Sequence, residues 1–242
     1  MSGHSKWANI KRKKEKTDSQ KGKVFTKLGR EIAVIVKQGG PDPESNSKLK
    51  DVIGKAKSLN MPNDNITRCI KKAAGDVNSE NYEEINYEGY GPGGVAVIVE
   101  AMTDNRNRTA GDVRHYFDKF GGNLGTSGCV SFMFDKKGVI LIEKSSGVNE
   151  DDLMMEVLEA GAEDFNVQDE YFEIVTSPDN FSDIREVLEK KKYEFIDAEI
   201  QMIPQTFTKL EDPKQIEQMD RLVESLEDLD DVQNIWHNWE EE

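Results

Sequence analysis

Opposite net charges on two consecutive parts of the chain constrain its fold more than any other feature. Residues 1–75 contain 18 Lys+Arg and 7 Asp+Glu, a net charge of +11, whereas residues 76–242 contain 14 and 40, a net charge of −26. The overall charge of −15 therefore hides a cationic first part. Such asymmetry indicates separate units and is typical of a segment that binds nucleic acid or a membrane surface. A small helical domain that is basic by drift is the alternative interpretation.

Composition excludes several classes of protein. The length of 242 residues suits one large or several small domains, and a hydrophobic fraction of 36% is sufficient for folded cores. No run approaches the roughly 20 apolar residues of a membrane span, and no apolar signal segment is seen near Met1. Cys69 and Cys129 are too few and too far apart for a disulfide scaffold or a structural zinc site. A soluble, cytoplasmic protein without a membrane partner is expected.

Candidate phosphate contacts are concentrated near the N-terminus. Only Glu15 and Asp18 oppose a dense run of cations, and cations at this density order best when phosphates displace counterions. Trp7 either stacks on an unpaired base or packs against the next helix. The predicted nucleic-acid-binding cations are Lys6, Lys11, Arg12, Lys13, Lys14, Lys16, Lys21 and Lys23.

Apolar periodicity predicts three helices before residue 76. They cover 22–38, 46–59 and the segment from about Pro62 to Gly75. Three short helices with short connections form a small bundle. Cys69 lies on the apolar stripe of the third helix, as expected for a buried thiol. The helix count is compatible with a helix-turn-helix, although no diagnostic turn marks one.

The remainder of the chain has the patterns of an α+β protein. After a polar linker we expect a strand at 93–103, a helix opened by a capping box at Thr109–Asp112, and a strand at 127–134. Residues 138–203 follow the order β-α-β-β-α-β, which is ferredoxin-like, and we expect Asn149 to cap the first helix of this segment. The last predicted elements are a strand at 206–210, a helix around 216–226 and a strand at 232–236, which we expect to complete the sheet begun at 93–134.

Few residue patterns are typical of catalysis. The segment Gly89–Gly94 is glycine-rich, but it precedes a strand and lacks the spacing of a phosphate loop, so a turn is the better interpretation. The histidines, His4, His115 and His237, lie in different segments. One acidic cluster is either solvated surface or a Mg²⁺ site of a metal-dependent hydrolase. Its members are Glu224, Glu227, Asp228, Asp230 and Asp231.

A cluster of arginines is the strongest cationic feature of the acidic part. Arg106, Arg108 and Arg114 are candidates for a secondary anion contact, because guanidinium groups bind phosphate or carboxylate in a two-pronged geometry. Pairing with the many internal Asp and Glu side chains is the alternative.

Six segments, distributed in order through the whole chain, are characteristic when taken together. They are Gly3–Ile10, Gly39–Pro43, Asn60–Asn63, Tyr87–Gly94, Thr103–Thr109 and Asp230–Asn234. With these segments the chain resembles the YebC family, whose members are described as probable transcriptional regulatory proteins and include a mitochondrial translational activator.

The resemblance implies a helical bundle followed by an α+β domain that carries an inserted ferredoxin-like domain, with no catalysis and no required cofactor. Some members are described as binding promoter DNA, others as acting on the ribosome or messenger RNA. We expect boundaries at 1–78, 79–135 with 204–242, and 136–203. The expected function is a non-enzymatic, DNA-binding transcriptional regulator, with a ribosome-associated translation factor that binds RNA as the alternative. The oligomeric state stays open.

Overall fold

The computed structural model describes residues 21–75, 82–144 and 147–240. The chain divides into two compact units. The smaller unit is Lys136–Ile203, and the larger unit contains the described residues that precede and follow it. No helix in the described ranges is both long and apolar enough to cross a bilayer.

The larger unit begins with the three predicted helices, which are α1 (Lys21–Gly39), α2 (Ser47–Ser58) and α3 (Asn63–Gly75). Asn46 joins the first two, because its side-chain oxygen accepts from the Leu49 N–H at 3.1 Å and its amide donates to the Gly40 carbonyl at 2.9 Å. The bundle is held by a core of buried apolar side chains. This core contains Leu28, Ile32, Val36, Leu49, Val52, Ala56, Met61, Ile66 and Ala73.

A four-stranded sheet completes the larger unit. The strands are β1 (Glu83–Tyr90), β2 (Ala96–Thr103), β3 (Asn123–Leu124) and β8 (Val232–His237). They lie in the order β3-β1-β2-β8, and every neighbouring pair is antiparallel. Helices α4 (Arg106–Lys119) and α7 (Pro213–Glu227) cover one face. The core between sheet and helices includes Val97, Val99, Phe117, Met219 and Leu222.

A loop that is hydrogen-bonded to Glu88 lies where the sequence predicts a strand. The Glu88 carboxylate, 7% exposed, accepts backbone hydrogen bonds of 2.8–2.9 Å from Gly128, Val130 and Ser131. Burial disfavours the charged form of Glu88, but the three N–H donors outweigh it and lower its pKa. These bonds curl the chain into a short 3₁₀ turn, so the strand expected at 127–134 was wrong.

Three further expectations for the larger unit were wrong. Helix α4 begins at Arg106, with the Asn105 side chain accepting from the Arg108 N–H at 3.1 Å, so Thr109 is not its cap. The segment 206–210 forms only an isolated bridge, between Thr208 and Trp239, because no strand pairs along it. Strand β1 lies where the sequence predicts a polar linker, because three of its first four residues are polar and exposed.

The smaller unit has its own sheet and core. The elements are β4 (Phe134–Glu143), α5 (Glu150–Glu159), β5 (Asp164–Val167), β6 (Tyr171–Thr176), α6 (Phe181–Lys190) and β7 (Phe195–Pro204). The strand order is β5-β6-β4-β7, with antiparallel pairing of β4 and β5 to β6. Asn149 caps α5, as expected from the sequence, because its side-chain oxygen accepts hydrogen bonds from the backbone N–H groups of Asp151 and Asp152. Ile140, Ile142, Leu153, Phe172 and Ile184 form the centre of the core.

Candidate nucleic-acid interface

Most of the predicted phosphate contacts lie outside the described residues. These are Lys6, Trp7, Lys11, Arg12, Lys13, Lys14 and Lys16. Lys21 and Lys23 lie in the first turn of α1, where both are exposed. Whether these nine residues bind nucleic acid stays a prediction.

Three cations of α1 contact the last residue of α7 and the turn after it, residues 227–231, which we call the acidic turn. Lys23 Nζ lies 3.1 Å from Asp228 Oδ1, and Lys27 Nζ donates to the Glu227 carbonyl at 2.8 Å. Arg30 donates to the Asp230 carbonyl and, at 2.7 Å, to Asp231 Oδ1. The spacing of four and three residues places all three cations on one side of α1. They meet the negative end of the α7 dipole, so part of the cationic charge is used within the protein.

Asp231 is the centre of this contact. Its carboxylate accepts from Arg30 at 2.7 Å, from Arg108 at 2.8 Å and from the Thr109 hydroxyl at 2.7 Å. The residue is 7% exposed. Burial alone would raise the Asp231 pKa, but the hydrogen bonds from Arg108 and Thr109 and the nearby positive charges outweigh it and lower the pKa. One ionised carboxylate therefore ties the helical bundle to α4.

Lys27 is largely removed from solvent in this contact. Burial lowers its pKa to about 8, and the negative charges of Glu227 and Asp230 offset only part of that effect. The Lys27 side chain is therefore still mostly protonated at neutral pH, and burying this charge lowers the stability of the folded protein.

Two side chains of the acidic cluster considered as a Mg²⁺ site take part in this contact. Asp228 and Asp231 pair with Lys23 and Arg30. In the ranges that the structure describes, no group of three or more His, Cys, Asp or Glu side chains is placed to hold a metal ion. The carboxylates of Asp228 and Asp231 therefore make contacts within the protein.

The arginine cluster of the acidic part is divided. Arg108 pairs with Asp104 at 2.7 Å and with Asp231 at 2.8 Å, as in the internal-pairing alternative. Arg106 lies 3.8 Å from Glu83, with both side chains more than half exposed. Arg114 is exposed on α4. Of the three, Arg108 is thus committed to the protein itself, and an anion contact by Arg106 and Arg114 stays a prediction.

Other exposed cations of the helical bundle are not among the predicted site residues. Lys48 and Lys57 lie on α2, and Arg68, Lys71 and Lys72 lie on α3. The five residues form no ion pair with any described residue, so their charges face solvent. A signal was available in the sequence, because positions 68, 71 and 72 fall opposite the apolar stripe of the third predicted helix.

Sequence comparison places the chain among bacterial relatives of nearly the same length. Two of them are named "Probable transcriptional regulatory protein". The one from Acetivibrio thermocellus is 75% identical over 239 residues, 99% of each chain. The one from Ruminiclostridium cellulolyticum is 68% identical over 242 residues, 100% of this chain and 98% of the relative.

A solved structure and two family models agree with this similarity. The crystal structure of a conserved hypothetical protein from Aquifex aeolicus has a TM-score of 0.82 and 46% identity, and the match covers 93% of this chain and 92% of that chain. Residues 5–76 match the model described as "TACO1/YebC protein N-terminal domain". Residues 82–239 match "TACO1/YebC second and third domain". The chain therefore belongs to the TACO1/YebC family.

Proposed function

We propose that this protein is a non-enzymatic, cytoplasmic regulator of gene expression that binds nucleic acid through its cationic first part, residues 1–75, as a DNA-binding transcriptional regulator. The observation that carries the proposal is the net charge of +11 on this part against −26 on the remainder. Phosphate contacts dominate affinity for nucleic acids, and only the first part offers them at high density. The names of the relatives support a regulatory role.

The proposed architecture is a basic helical domain at 1–78, a discontinuous α+β domain at 79–135 and 204–242, and a ferredoxin-like domain inserted at 136–203. The strand order β5-β6-β4-β7 supports the last assignment, because it places the first and third strands of this unit side by side at the centre. The acidic domains would then position the helical domain and contact other proteins, while the helical domain contacts phosphates.

Salt-dependent binding by the full chain tests the proposal. Fluorescence anisotropy would measure affinity for a labelled DNA duplex and a labelled single-stranded RNA over a range of salt concentrations. If about six phosphates are neutralised on the duplex, log K falls against log salt with a slope of about −5. A wild-type slope near zero on both probes would contradict the proposal.

A quadruple substitution tests the N-terminal cations. Changing Lys11, Arg12, Lys13 and Lys14 to Gln should make the slope on the duplex shallower by about 3 to 4. The control removes the same charge from exposed lysines of the acidic part, and it should leave the slope nearly unchanged. The control positions are Lys119, Lys136, Lys192 and Lys214.

A ribosome-associated translation factor that binds RNA is the second candidate function. The charge of −26 on residues 76–242 favours it, because a small duplex-binding protein gains little from such repulsion, whereas ribosomal proteins provide basic partners. Sucrose-gradient sedimentation of cell lysate at physiological salt distinguishes the two candidates. Co-migration with ribosomes supports the translational role, and absence from the ribosomal fractions argues against it.

A further inference from the structure

We propose that the outward face of α3, formed by Arg68, Lys71 and Lys72, is a phosphate-contacting surface of the folded helical bundle. The inference rests on the proposed function and names the part of the described structure that performs it. The proposed occupant is the sugar–phosphate backbone of duplex DNA, and binding to single-stranded RNA instead is an outcome of the test.

The orientation of α3 is the first argument. Its inner stripe consists of the buried Ile66 and Ala73 with the partly buried Cys69 and Ile70, which pack into the core of the bundle. An α-helix has 3.6 residues per turn, so positions 68, 71 and 72 lie on the opposite side. All three cations are exposed. The packing of α3 therefore fixes a basic face toward solvent.

The charge balance within the bundle is the second argument. Lys23, Lys27 and Arg30 of α1 are directed to the acidic turn, and Lys55 of α2 lies 3.8 Å from Glu31. By contrast, the three cations of α3 have no carboxylate partner among the described residues, and Arg68 donates only to the neutral Asn65 side chain. Their positive charge is thus available to an external anion.

The spacing of the three side chains is the third argument. Residues three and four positions apart on a helix have Cβ atoms about 5–6 Å apart. Arg68 therefore has Lys71 and Lys72 as immediate neighbours, and the three charges form one compact patch. The single acidic residue of α3 is Asp64, four positions before Arg68 in the first turn, where the positive end of the helix dipole favours a carboxylate, and it forms no ion pair with the three cations. Three cations this close together match the closely spaced negative charges of a nucleic-acid backbone.

The test compares two charge-matched variants of the full chain with the wild type. One variant carries R68Q, K71Q and K72Q, and the control carries K136Q, K192Q and K214Q at exposed positions of the acidic part. Affinity is measured by anisotropy at about 50 and about 200 mM salt on both probes. Circular dichroism and thermal unfolding check that each variant is folded.

Loss of three phosphate contacts should make the salt slope shallower by about 2.7 on the duplex and about 2.1 on the single strand. The affinity advantage of wild type over the α3 variant should then shrink about 40-fold on the duplex, or about 20-fold on the single strand, between the two salt concentrations. A slope that falls by its expected amount on the duplex supports the inference, and one that falls by its expected amount only on the single strand assigns the surface to RNA instead. A third variant, R68K with K71R and K72R, keeps the charge and should keep the wild-type slope.

Two outcomes would overturn the inference. In one, the α3 variant keeps the wild-type slope, and in the other it loses no more than the control does. Either result leaves the proposed function intact as long as the wild type binds with a steep slope. If the wild type itself binds neither probe, the proposed function fails and the inference fails with it.

Discussion

Replacing Asp231 by Asn removes one buried charge at almost constant shape. Arg30 loses the carboxylate that it pairs with, and its side chain is only 16% exposed. Arg108 is 46% exposed and keeps Asp104 at 2.7 Å, so the cost falls mainly on Arg30. Breaking a buried ion pair by removing one partner costs about 3–5 kcal/mol. We expect D231N to lower the free energy of unfolding by at least about 3 kcal/mol.

Asp228→Asn provides the matched control. The Lys23–Asp228 pair belongs to the same contact, but its side chains are 44% and 49% exposed. Such pairs contribute about 0–1 kcal/mol, so D228N should be nearly neutral. Urea unfolding gives the free energy of unfolding of both variants. The fluorescence of Trp236 and Trp239 reports the transition, because both side chains belong to the same unit as Asp231.

A double-mutant cycle isolates the pair itself. The double variant R30M/D231N should lose clearly less free energy of unfolding than the two single variants lose together. Each single substitution leaves the other charge of the pair without its partner, whereas the double variant contains neither charge. Equal losses for D231N and D228N, or strict additivity in the cycle, would refute the conclusion that burial of Asp231 is what makes this contact strong.

Two further predictions concern Lys27 and Glu88. The lowered pKa of Lys27 means that the unfolded chain holds this proton to higher pH than the folded chain, so stability should rise by at most about 3 kcal/mol as pH increases from about 8 to about 10.5. K27M should abolish this rise, and urea unfolding at about pH 7 and about pH 9.5 measures it in both proteins. If the free energy of unfolding changes equally with pH in variant and wild type, the prediction is wrong. E88Q places an amide NH₂ group where a carboxylate oxygen accepts hydrogen bonds from backbone N–H groups, so it should lower the free energy of unfolding by about 1–3 kcal/mol. Hydrogen exchange should accelerate at the amides of Gly128, Val130 and Ser131, whereas unchanged protection would show that Glu88 does not hold the loop.

Local patterns predicted the helices of the bundle well. The apolar stripes of α1, α2 and α3 repeat with the period of a helix, and the Asn149 cap of α5 is readable from the residues beside it. Both signals act within a few residues, which is why a single sequence contains them.

Expectations failed where distant contacts override local preference. The segment 127–134 is rich in strand-forming residues, yet the carboxylate of Glu88, some 40 residues earlier, binds three of its N–H groups. Thr109 fits a capping box, yet it lies within α4 and donates to Asp231, 122 residues away. Such partners satisfy buried polar groups, and no window of neighbouring residues contains both members of a pair.

The sequence by itself determined that a cationic part precedes an anionic one, because net charge depends only on composition along the chain. Only the tertiary structure decided which cations remain available. It brings Lys23, Lys27 and Arg30 to the acidic turn and leaves Arg68, Lys71 and Lys72 without a carboxylate partner among the described residues. The physical reason is that a charge is neutralised by whatever lies within a few ångströms of it, and folding alone sets that neighbour.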